Sequence, residues 1–150
     1  MADERPRWAE PAAAAGLILL DRLSKLWALR WLEPRGSVAV LPFFHLTYVE
    51  NTGAAFGLGR GSNSLFVGLS VFLMAALLAW RRRLGPEDRW SRLGILLIVS
   101  GALGNLYDRL AYGFVIDYFD FLVWPVFNVA DSLITVGAGA VGFASFFRRR

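Results

Sequence analysis

The 150-residue sequence has no cysteine and one histidine, His45. Without cysteine there is no disulfide framework, no thiol nucleophile and no thiolate-ligated metal. A single histidine excludes any site that needs two, such as the zinc site of HExxH enzymes. Charge is scarce too. Charged residues make up 19% of the chain, against 56% hydrophobic. A soluble domain of this length lacks the interior to bury so much apolar surface, so an integral membrane protein is the better class. The net charge of +4 raises nucleic acid as a partner. The basic residues collect at the ends of apolar segments instead, so no nucleic-acid partner is expected.

Four apolar stretches are present, within one domain spanning 1–150. Residues 63–80 carry no charge, and residues 127–147 carry one, Asp131. Both are long enough to cross a bilayer. Residues 93–107 need their flanks to complete a crossing. The first stretch, about residues 12–32, is interrupted by Asp21, Arg22, Lys25 and Arg30. Its opening AAAAGLILL has the look of a signal-peptide core. Asp3 and Glu4 spoil a basic leader, however, and no small-x-small cleavage site follows, so it reads as a retained first helix.

The arginines support four crossings. Arg5 and Arg7 precede the first helix, Arg81, Arg82, Arg83, Arg89 and Arg92 separate the second from the third, and Arg148, Arg149 and Arg150 close the chain. Only Arg35, Arg60 and Arg109 fall on the other face. The positive-inside rule then puts both termini in the cytoplasm. The long outer loop, residues 33–62, is rich in β-branched and aromatic residues over 38–50, which predicts one or two short strands at the membrane surface. A short helical turn is expected at Ala54–Gly57, among the glycines that follow. The fold class is therefore a mainly α membrane protein with four transmembrane helices, a small β-cradle and a short surface helix in the first outer loop.

Carboxylates are costly in such a chain, yet several gather near the outer face. Helix rise puts Asp131 roughly 25 Å from Arg148 and Asp108 roughly 24 Å from Arg92. Asp117 and Asp120 are expected in the outer loop or on an extension of the third helix. Pro125 stands where a helix-opening proline would, which places Asp131 in the early turns of the fourth helix. Asn105-Leu-Tyr-Asp108 and Asn128-Val-Ala-Asp131 repeat an amide and a carboxylate at i and i+3, on one helix face. Interhelical hydrogen bonding is the plain account of the asparagines. Function is the default for ionisable groups at membrane depth. The small residues Ser100, Gly101, Gly104, Gly137, Gly139, Gly142 and Ser145 indicate close helix packing. The tryptophans near the helix ends read as interfacial anchors.

Among possible chemistries, a carboxylate-held Mg²⁺ or Ca²⁺ has little support, and no metal or cofactor is expected. Ser24 and Lys25 are neighbours, about 100° apart on a helix, and do not face each other. Asp21 and Lys25, at i and i+4, form the simpler ion pair. A pair of aspartates remains. Two carboxyls sharing a site hold one proton between them. The ionised member can deprotonate water as it attacks a carbonyl, and the protonated one can polarise that carbonyl and protonate the leaving amine. Spacing alone leaves open which two pair. The alternative is a small four-helix channel or proton-coupled transporter with Asp21 and Lys25 on its path.

Five segments, in order, resemble the lipoprotein signal peptidases, the type II signal peptidases of bacteria. They are Asp21-Arg-Leu-Ser-Lys25, Asn51-Thr-Gly-Ala-Ala-Phe-Gly57, Gly101-Ala-Leu-Gly-Asn-Leu-Tyr-Asp-Arg109, Gly113-Phe-Val-Ile-Asp117 and Phe127-Asn-Val-Ala-Asp-Ser132. The resemblance implies an intramembrane aspartyl endopeptidase of the inner membrane, with its site near the outer face. It would cut a prolipoprotein before a diacylglyceryl-modified Cys. Asp117 and Asp131 would be the catalytic pair, ahead of Asp108. Asp108 and Arg109 would support the site as an ion pair. Asn51, Gly53, Asn105, Asn128 and Ala130 would surround substrate or dyad. Asp120 would be a solvated loop residue. The 38–57 loop would cradle the substrate's peptide and lipid. The expected partners are diacylglyceryl-prolipoproteins, membrane lipid and the inhibitor globomycin, and a monomer suffices.

Overall fold

The computed structural model describes residues 9–53 and 63–147. The expected turn at Ala54–Gly57 lies outside them, as do Arg5, Arg7, Arg60 and the three C-terminal arginines. Helix α1 runs Ala9–Trp27 and continues through a π-helical turn, Ala28–Leu32, and a 3₁₀ turn, Glu33–Arg35. Strands β1 (Ser37–Leu41) and β2 (Phe44–Asn51) follow, then α2 (Asn63–Arg81), α3 (Arg89–Ala111), β3 (Val115–Asp120) and α4 (Val129–Phe147). Helices α2, α3 and α4 are each long and apolar enough to cross a membrane. Phe72 on α2, Leu110 on α3 and Val136 on α4 are all more than half exposed, as lipid-facing residues are. The flanks do complete the third stretch, which grows to 23 residues.

The helices meet through small residues. A side-chain carbon on Gly94 would strike the Gly137 carbonyl, one on Gly137 the Gly94 carbonyl, and one on Gly101 the Ala130 carbonyl. These glycines bring the backbones of α3 and α4 together. Gly139 and Gly142 differ from expectation. Neither has anything within 4 Å of where a side chain would begin, so they face away from the seam.

The three strands form one antiparallel sheet in the order β1-β2-β3. The sequence predicted strands in the first loop but placed Asp117 in a loop or helix extension. It lies instead on β3. The helix ends first: Gly113, at φ +82, turns the chain out of α3 and its N–H bonds the Arg109 carbonyl at 3.2 Å. Val115, Ile116, Asp117 and Tyr118 are then all buried, because one face of the strand packs on the end of the first helix and Asp117, on the other, meets Asn51 and Asn128. Beneath the sheet, Ala28 and Leu32 of the π turn pack with Ile116 and Tyr118. Past the strand, the backbone of Phe127 bonds Phe119 in both directions, at 2.8 and 3.0 Å. That bridge folds the chain back and sets residue 128 beside residue 117.

Pro125 does not open α4. Asn128 does, as its N-cap. Its side-chain oxygen accepts from the Asp131 N–H at 2.9 Å, while the Asp131 carboxylate accepts from the Asn128 N–H at 3.3 Å. This reciprocal pair is a capping box, and it holds Asp131 in the first turn of α4.

Candidate active site

The buried polar residues at the sheet end of the bundle divide into two clusters. The first is built around Lys25 of α1, which is fully buried. Its ammonium lies 3.0 Å from Asp21, 2.9 Å from Asp108 and 2.8 Å from the Asn105 side-chain oxygen. Three donors therefore meet three acceptors. The other Asp21 oxygen accepts from the Ala130 N–H at the start of α4, at 2.9 Å. Asp108 also accepts from Arg22 and from the Ile116 N–H of β3. The cluster thus joins α1, α3, α4 and the sheet. Gly104 leaves the room for it, since a side chain there would strike the Asp21 carboxylate. Asp21 and Lys25 are 1% and 0% exposed, with these oxygens and the ammonium bonded to one another and to neighbouring elements.

Asp108 and Arg109 were expected to pair with each other. They do not. Successive helix residues diverge by about 100°, and the two side chains go separate ways. Asp108 turns to Arg22 and Lys25. The Arg109 guanidinium donates to the Gly53 carbonyl at 2.9 Å and lies over the Phe66 ring at 4.7 Å. Arg22 was not singled out from the sequence. A second cation beside Asp21 in an apolar helix was the available signal. Its guanidinium also stacks near Tyr107, 4.9 Å from the ring centre.

The second cluster contains Asp117 and Asp131. Asn128 touches both. Its side-chain amide donates to Asp117 at 2.7 Å, and its side-chain oxygen and backbone N–H hold Asp131. Asn51, diagonal to Asp117 across the β2–β3 pair, donates to the other Asp117 oxygen at 2.9 Å. Asn51 also accepts from the Gly53 N–H at 3.0 Å, which shapes the exit from β2. Asn105 donates to Asp131 at 2.8 Å. Its orientation is set from behind: Lys25 can only donate, so the Asn105 oxygen must face it and the NH₂ must face Asp131. Among the described residues, no Lys or Arg is ion-paired with either carboxylate. Burial first, and then the Asp131 charge, push Asp117 up to about 7, against the lowering influence of Asn51 and Asn128.

A groove of about 680 Å³ opens on this cluster. Asn51, Gly53, Asn105, Arg109 and Asp131 line its polar end. Trp124, Val126, Ile134 and Val136 line the apolar remainder. Asp120 is away from it and is not simply solvated. It accepts from Thr47 and from the Leu122 N–H, each at 2.8 Å, and so shapes the turn after β3. A further contact was not foreseen: the Tyr118 hydroxyl bonds Ser24 at 2.6 Å, and Ser24 bonds the Asp21 carbonyl at 2.8 Å, which ties β3 to α1.

Comparison with known proteins gives a consistent result. A family described as signal peptidase (SPase) II matches residues 13–147. A lipoprotein signal peptidase of Moorella thermoacetica is 45% identical over 122 residues, covering 81% of each chain. That of Caldanaerobacter subterraneus subsp. tengcongensis is 42% identical over 136 residues, covering 89% of this chain and 93% of its own. Two solved structures described as bacterial membrane enzymes superpose with TM-scores of 0.86 and 0.84, each at 27% identity. The first covers 93% of this chain and 88% of its own, the second 96% of both.

Proposed function

The chain belongs to the signal peptidase II family, a family of bacterial membrane proteases, and on that premise we propose that it cleaves prolipoproteins with Asp117 and Asp131 as an aspartic dyad. The substrate is a prolipoprotein whose signal peptide is removed before a diacylglyceryl-modified Cys. The observation that carries the reading is Asn128. One residue at the cap of α4 bonds both carboxylates, which come from separate elements: its side-chain amide donates to Asp117 and its backbone N–H to Asp131, and Asp131 lines a groove that is polar at one end and apolar along the rest.

The chemistry follows from the setting. Asp117 near 7 means that the pair carries one proton close to neutral pH. The ionised member removes a proton from water as the water oxygen adds to the scissile carbonyl. The protonated member donates to that carbonyl oxygen. Collapse of the tetrahedral intermediate passes a proton to the leaving nitrogen and breaks the C–N bond. Asn51, Asn105 and Asn128 keep the carboxyls in place through neutral donors, which leaves the shared proton available. Arg109 and Gly53 form one side of the polar end, where a peptide backbone would lie. The apolar remainder suits a signal peptide and an acyl chain.

Orientation completes the proposal. The arginines between α2 and α3 mark the cytoplasmic face, so α1 is a fourth crossing, its charges neutralised inside the bundle, and the dyad lies toward the outer face. One domain contains the whole site, and neither metal nor cofactor enters the reaction. The test is incubation of purified protein with a diacylated precursor peptide. The parent should cleave it before the modified Cys, and Asp117→Asn and Asp131→Asn should not. Cleavage by either folded variant would remove the dyad from the mechanism.

A further inference from the structure

The loop after β3 has a feature that peptide cleavage does not use. Phe121, Leu122, Val123 and Trp124 are consecutive apolar residues, and Val123 is 93% exposed. The β1–β2 turn lies at the same end of the sheet, because His45 pairs with Asp120 and the Phe44 ring is 4.9 Å from Phe121. That turn exposes Leu41 and Phe43, at 47% and 62%. Two loops from separate parts of the sequence thus present one apolar tip.

Two observations identify what the tip meets. The first is strain. Leu122 has φ +65, the only non-glycine with positive φ among the described residues. A side chain with a Cβ is strained there, since the left-handed region crowds Cβ against the following carbonyl oxygen. The Asp120 carboxylate and the Phe121 carbonyl hold the turn, accepting from the Leu122 and Val123 N–H groups at 2.8 Å each. The chain sustains this strain while pointing apolar side chains outward. The second is depth. Trp124, Pro125 and Val126 share a groove with Ile134, Thr135 and Val136. Val136 is seven residues into α4, roughly 10 Å from its start. The loop therefore runs alongside the first two turns of a membrane-capable helix, whose own Val136 is 62% exposed. Its apolar surface continues the lipid-facing surface of α4.

We propose that Phe121–Val123, together with Phe43, form a wedge that inserts among the acyl chains of the leaflet next to the sheet. The partner is the hydrocarbon of the bilayer itself. The wedge pins the sheet end at lipid level and makes one lip of the groove. Neither the dyad nor the identity of the substrate is needed for this to hold.

The absence of native cysteine makes the test clean. Val123→Cys carries a nitroxide label in phosphatidylcholine–phosphatidylglycerol bilayers, and its collisions with oxygen and with a water-soluble nickel chelate are compared. Phe72→Cys on α2 serves as the lipid reference and Glu50→Cys on β2 as the aqueous one. The label at 123 should match position 72, with oxygen favoured several-fold. A reading like that at position 50 would overturn the wedge. Shielding from both reagents would overturn it too, since the tip would then be covered by protein. In a second arm, Val123→Asp should shift a label at Phe43→Cys toward the aqueous reading. A position-43 label left at lipid depth would show that the loops do not act as one tip.

Discussion

Asp21 and Asp108 are buried among cations, and Asp117 and Asp131 among amides. Both pairs sit at the same end of the bundle, a residue or two apart through Asn105 and Asn128. Around Lys25, each carboxylate has an ammonium or guanidinium within ion-pair distance and backbone N–H groups besides. Around Asn128, the donors are neutral amides and a backbone N–H, and among the described residues no Lys or Arg is ion-paired with either carboxylate. The first arrangement is closed, since its strong partners are all internal. The second has no cation to neutralise it and borders a groove through Asp131, which is what the proposed dyad requires. A membrane protein can hold buried carboxylates for structure or for chemistry, and the difference lies in whether a cation neutralises them.

The largest effects should separate the clusters by what is lost. Asp117→Asn and Asp131→Asn should lower cleavage by about a thousand-fold or more while melting temperature holds or rises. Asparagine keeps the shape and removes a buried like-charge repulsion. Lys25→Met should do the opposite, costing about 3–5 kcal/mol because Asp21 and Asp108 lose their shared ammonium. Thermal unfolding in detergent micelles, read beside cleavage of a diacylated precursor, checks both. If the Lys25 variant kept its stability, the closed cluster would not be what holds the bundle together.

The pH dependence is the next test in size. Asp117 has its carboxyl raised from 3.8 to about 7 in the fold. A raised carboxyl favours the fold most below its unfolded value, and the benefit is lost as pH rises through the folded value. Melting temperature should therefore fall between about pH 4 and 7, and Asp117→Asn should flatten that slope. Cleavage should decline above about pH 7 as the pair loses its proton. A melting slope unchanged in the Asn variant would mean that Asp117 is not the group titrating.

Much of this contrast was legible in the residues, and the gaps have physical causes. Long uncharged runs identify α2 and α4, because hydropathy reports burial in lipid directly. The i, i+4 spacing brings Asp21 to Lys25, because helix geometry is local. The Val115–Asp120 strand was hidden. It is buried on both faces, so its pattern lacks the alternation that marks a strand, and its pairing with β2 is set some 70 residues away. The Asp108–Arg109 pair was misjudged for a related reason. Adjacency in sequence suggested contact, whereas the helix sends the two side chains apart, and each partner comes from another element. Asn128 was read as one of two equivalent helix-face amides. Its role as a cap depends on where α4 begins, and that is fixed by the Phe127–Phe119 bridge, which residue types alone do not reveal.

The same inside–outside division extends to the glycines of α4, with smaller consequences. Gly137 faces α3, and a methyl group there would meet the Gly94 carbonyl and Ile98. The backbones would have to separate, at a cost of about 1–3 kcal/mol. Because Asn105 and Asp131 face each other across that seam, cleavage should fall along with stability. Gly139 is two residues on and has open space where a side chain would begin. Alanine there relieves the entropic penalty of a helical glycine and should be neutral or stabilising by about 0.5–1 kcal/mol, with cleavage unchanged. Melting temperatures of the two alanine variants, measured side by side, read out which face of α4 sets the depth of the dyad. Equal losses would mean that both faces are packed and that α4 has a neighbour on the Gly139 side as well.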